Sequence, residues 1–78
     1  MAMKGNDFKS HVIDILSQSK GKNSALSPLQ LCQSVYQQVK DTVDITVARE
    51  IMRNMRKEKL VKGHQPGHSK STFYYWID

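Results

Sequence analysis

The chain is 78 residues long, which bounds it to one small domain with room for a single modest core. Apolar residues make up 38 % and charged residues 24 %, a balance that argues against wholesale disorder, and no run approaches the roughly 20 apolar residues of a membrane span. The net charge of +5 is unevenly placed: residues 1–48 carry five basic and four acidic groups, and residues 49–70 carry seven basic and two acidic.

A single cysteine, Cys32, leaves no partner for an internal disulfide and fits a reducing compartment such as the cytoplasm. The N-terminus shows no apolar run, so no signal peptide is expected there. Residues 1–5 read as a flexible leader and residues 6–78 as the domain. The first expected helix starts at Asn6 or Asp7 as cap. It carries Phe8, Val12, Ile15 and Leu16 on one face and ends at Gly21, with Lys20 in its last turn. Asn23 to Leu26 reads as a short extended stub able to join a sheet.

Ser27-Pro28-Leu29-Gln30 is a strong start for a second helix. Serine caps, proline at the first helical position already has the required φ, and Gln30 can complete a capping box. Cys32, Val35, Tyr36 and Val39 form its apolar stripe, flanked by Leu29 and Leu31, opposite an uncharged polar face of Gln30, Gln33, Ser34 and Gln37. Residues 40–43 read as a turn, and Asp44 as the cap of a third helix over about 44–58. Val47, Ile51 and Met55, with Ala48 and Met52 beside them, make its expected core face. Thr46, Arg49, Arg53 and Lys57 fall on the opposite face, with Arg56 and Glu50 alongside.

The period then changes. Leu60-Val61 is a short apolar pair, 63–71 has loop composition, and Thr72 to Ile77 is dense in aromatic and β-branched residues, which reads as a strand. Alternation sends Phe73, Tyr75 and Ile77 to one face and Tyr74 and Trp76 to the other, without saying which is buried.

Helix, stub, helix, turn, helix, strand, loop, strand: this order resembles the winged helix-turn-helix superfamily over residues 6–77. The stretch Asp44 to Lys62 looks like that superfamily's recognition helix running into its first wing strand. One departure is Glu58-Lys59-Leu60-Val61, where lysine stands in place of the usual glycine. The Z-DNA-binding variant fits poorly. It uses an asparagine and a tyrosine on the third helix and a proline pair in the wing, whereas Ala48, Met52 and a lone Pro66 stand here. The resemblance implies an α+β winged helix-turn-helix, three helices followed by a two-stranded β-hairpin wing. It also implies a small regulator that binds double-stranded DNA, with the third helix in the major groove and the wing (63–71) on phosphate or in the minor groove.

On that reading Thr46, Arg49 and Arg53 reach base edges or nearby phosphates, since the planar arginine fork can donate two hydrogen bonds to guanine. Arg56 and Lys57 neutralise phosphates, and Lys62, His64, His68 and Lys70 do so from the wing. The plainer account is a solvated basic face with Glu50 and Glu58 as local partners, beside a polar loop without a ligand. His64 and His68 are four apart, but Pro66 and Gly67 between them exclude a helix. With Cys32 on the core face, no metal site is expected. No nucleophile–base set, carboxylate pair or glycine-rich phosphate loop emerges, so neither an enzyme nor a cofactor is expected. The rival function is a protein-interaction module without DNA binding, whose docking surface, for a partner or a second copy, is the Tyr74 or Trp76 face. Single-stranded nucleic acid would need aromatics among the basic residues, and in the sequence they lie outside the third helix.

Overall fold

A computed structural model describes residues 3–67 and 72–78. Helix α1 spans Gly5–Gln18, α2 Pro28–Val39 and α3 Ile45–Lys57. Strand β1 (Lys62–His64) then pairs antiparallel with β2 (Tyr74–Trp76) in the register Lys62↔Trp76, Gly63↔Tyr75, His64↔Tyr74. Three helices followed by this hairpin give the α+β winged-helix topology expected from the sequence.

Helix α1 buries Phe8, Val12 and Leu16, with Ile15 packed at the edge, so its apolar face is the expected one. Its ends are not. It begins at Gly5 behind Lys4, which offers no side-chain cap, and Asp7 sits in the first turn, where a carboxylate suits the helix dipole. Met3 packs against the core and bonds to Thr42, which ties residues expected to be leader into the fold. The helix stops at Gln18, so Lys20 and Gly21 lie beyond it. Gly21, at φ 101°, instead turns the chain into a short 3-10 segment (Lys22–Ser24), and its N–H donates to Ile77 O at 2.8 Å. Leu26 and Tyr75 then exchange backbone hydrogen bonds of 2.9 and 2.8 Å. Of the stub expected to be extended over Asn23 to Leu26, Asn23 and Ser24 lie in the 3-10 segment, and Leu26 alone bridges β2, on the side away from β1.

Helix α2 opens on the expected capping box: Ser27 Oγ accepts from Gln30 N, and Gln30 Oε1 accepts from Ser27 N. Its buried stripe is Leu31, Cys32 and Val35. Tyr36, Val39 and Leu29, expected on or beside that stripe, are exposed. The axis of burial passes nearer Leu31 than Tyr36, and the last turn extends past the core. Asp44 caps α3 by accepting from Thr46 N. The buried stripe of α3 is Ala48, Met52 and Met55, with Ile45 beside it, whereas Val47 is 42 % exposed and Ile51 only partly covered. The apolar arc of α3 is wider than its buried centre, so sequence spacing alone rotated that face by about one residue.

Helix α3 ends in a Schellman motif. Lys59 takes left-handed backbone (φ 63°), its N–H donates to Arg56 O, and Leu60 N–H donates to Met55 O. Lysine therefore holds the glycine position. Leu60 belongs to this stop signal, Val61 enters the core, and the strand starts two residues later than expected, at Lys62. Gly63 and His64, expected in the wing loop, are strand residues; the expected second strand narrows to Tyr74–Trp76. Gly63 is required for a close approach. A Cβ there would lie 2.8 Å from Arg56 Cδ and 3.0 Å from the Tyr75 ring. Tyr75, Phe73 and Ile77 face the core, which leaves Tyr74 and Trp76 on the outer side, each half-buried.

Candidate nucleic-acid interface

The outer face of α3 carries Thr46, Arg49, Arg53 and Lys57, all exposed. At 1.5 Å rise per residue the row runs roughly 16 Å. Among the described residues none of its three cations is in an ion pair: the two pairs are Lys9 with Glu58, at 3.3 Å, and Lys62 with Asp78. The capped N-terminus and the Schellman stop fix the helix ends, and burial of Ala48, Met52 and Met55 fixes its rotation, so the basic row has one direction to point.

Arg56 stands apart from that row. It leans toward the wing, where its guanidinium lies 5.2 Å from the Phe73 ring centroid and its stem passes over Gly63. Phe73 in turn stacks on Tyr75, with centroids 6.0 Å apart. Arg56 therefore fastens β1 and β2 to α3 while its side chain stays exposed along the groove beside them. Burial pushes the Tyr75 hydroxyl above its usual range, partly offset by Arg56 and Arg53 nearby.

In the wing, Lys62 is exposed but bonded to Asp78, and that bond holds the Asp78 carboxyl below the usual carboxylate range. His64 is exposed at the end of β1, opposite Tyr74. His68 and Lys70 lie outside the described residues. Cys32 is buried against Val43 O, on the opposite side of α2 from its polar face, and burial raises its thiol above the usual range.

Between α3, the start of α2 and β2 lies an open groove of about 450 Å³. Arg49, Arg53, Arg56 and Lys57 line one wall, Phe73 and Tyr75 the other, and among the described residues no carboxylate contributes. Sequence reasoning placed the aromatics away from the basic face. The antiparallel register brings them beside it, and the one signal for this was Gly63 opposite a large aromatic. Comparison with protein-family models, with curated proteins and with solved structures gives no match, so the functional reading stands on the chain's own residues.

Proposed function

We propose that this chain is a small duplex DNA-binding protein, a transcriptional regulator working in the cytoplasm, that lays α3 in the major groove and its wing against the flanking backbone. The observation that carries this reading is the row Thr46, Arg49, Arg53 and Lys57. It is exposed and free of ion pairs among the described residues, on a helix whose opposite face, Ala48, Met52 and Met55, is committed to the core. Arg49 and Arg53 are the base-reading candidates and Lys57 a phosphate contact. Arg56 moves from direct contact to holding the wing at its angle. Lys62 reaches a phosphate by exchanging Asp78 for it, and His64 sits where a wing strand would meet the backbone.

Fluorescence anisotropy of a labelled mixed-sequence duplex tests this. Three phosphate contacts give a slope that weakens binding about 40-fold between roughly 50 and 200 mM salt. Arg49→Glu/Arg53→Glu abolishes binding while circular dichroism stays unchanged. Absence of binding to several duplexes at low salt, with folded protein, removes the reading.

A further inference from the structure

The groove beside α3 has a lip that a duplex does not use. Leu29, on the first turn of α2, is 56 % exposed, and Ile45, at the start of α3, is partly covered beside it. A lone exposed leucine needs no explanation. Here it stands at the mouth of a groove whose wall, among the described residues, carries four cations and no carboxylate. The two features favour different chemistry: the lip favours an apolar side chain, and the wall favours carboxylates. A phosphate strand satisfies the wall and gains nothing from Leu29 or Ile45. A single-stranded base would need an aromatic face. Phe73 is already engaged by Arg56 and Tyr75, and Tyr75 itself is only 4 % exposed.

We infer that this groove docks a short acidic peptide segment bearing an apolar anchor, which covers Leu29 and Ile45 while its carboxylates meet Arg49 and Arg53. The volume lies in the range of sites that enclose a small ligand or a few side chains. The site is independent of the duplex reading. Where both hold, peptide and duplex exclude one another, because they share Arg49 and Arg53, and an acidic partner then releases the protein from DNA.

Three fluorescein-labelled probes test it by anisotropy: a peptide rich in Asp and Glu with a central Leu-Phe pair, the same peptide with Ser-Ser at the centre, and oligo-dT. The Leu-Phe peptide binds about tenfold more tightly than its Ser-Ser control, the gain of burying one apolar anchor. Leu29→Gln, at an exposed position, erases that advantage and leaves duplex binding as it was. Arg49→Gln weakens the peptide and the duplex together. Equal binding of the two peptides, or an advantage that survives Leu29→Gln, overturns the inference. Oligo-dT binding that depends on Leu29 overturns it too and gives the groove to single-stranded nucleic acid. Peptide binding without duplex binding removes the proposed function and leaves this site standing.

Discussion

Helices α2 and α3 each bury one apolar stripe, begin on a side-chain cap and end with a lysine in left-handed backbone, yet their outward faces differ in kind. No charged residue lies in α2; its outer side is Gln30, Gln33, Ser34 and Gln37. Helix α3 presents Arg49, Arg53 and Lys57 from an equivalent scaffold. Packing constrains the inner stripe, where a lost methylene is felt at once, and leaves the outer face free. The difference between the two outer faces therefore carries the functional information, and the likeness of the inner faces carries the fold.

The largest expected effect tests the likeness. Leu31→Ala on α2 and Met52→Ala on α3 both truncate fully buried side chains. Each should cost about 2–5 kcal/mol in chemical denaturation. If one helix tolerates truncation while the other does not, the two do not share one core.

A second difference is that α3 carries the wing. Gly63→Ala places a methyl against Arg56 Cδ and the buried Tyr75 ring. The Arg56 stem can shift, but Tyr75 cannot without moving β2. Denaturant titration should show a loss of about 1–3 kcal/mol. Near-neutral behaviour would mean that the wing rides loosely on α3 and that Arg56 does not position it.

These effects bear on how much the sequence disclosed. The capping box at Ser27, the Asp44 cap, the three helices and the aromatic strand were legible because local chemistry alone specifies them. The exposed row Thr46, Arg49, Arg53 and Lys57 was legible because 3.6-residue spacing fixes which residues share a face. The centre of each buried stripe was not. Apolar side chains at Val47, Tyr36 and Leu29 look like core in sequence, and only the position of neighbouring elements decides which are covered. The role of Arg56 was hidden for the same reason: its partner Phe73 arrives through strand pairing, far along the chain.

The helix ends give a finer comparison. Lys59 and Lys40 both adopt positive φ, a conformation that costs a lysine about 1–2 kcal/mol relative to glycine. Lys59→Gly should stabilise by about 1 kcal/mol, because the Schellman bonds stay and the strain goes. Lys40→Gly should gain less, since the Lys40 ammonium sits 6.0 Å over the Tyr36 ring and that contact would be lost, worth about 0.5–1 kcal/mol when exposed. Thermal melts of the two variants give the order directly, and a larger gain at Lys40 would mean that the ring contact contributes nothing.

The smallest effect is read at Cys32, where α2 meets the turn leading into α3. The thiol is buried and donates to Val43 O, and burial raises its pKa, with the Thr42 hydroxyl partly offsetting that rise and Asp44 adding to it. A thiol that keeps its proton is a poor nucleophile, so alkylation at neutral pH should proceed only when α2 parts from α3. The sign of the pH dependence follows. The folded thiol holds its proton beyond the pH at which an unfolded thiol releases it. This contribution is therefore complete below the ordinary thiol value and drains away as pH rises through the raised one. Tyr75 adds the same sign at higher pH. Stability should thus be flat through neutrality and decline in the alkaline range, and Cys32→Ala should soften the first part of that decline. Rapid alkylation at neutral pH, at the rate of the denatured chain, would mean that the contact between α2 and the start of α3 opens freely. The basic row would then lack the fixed orientation that distinguishes α3 from α2.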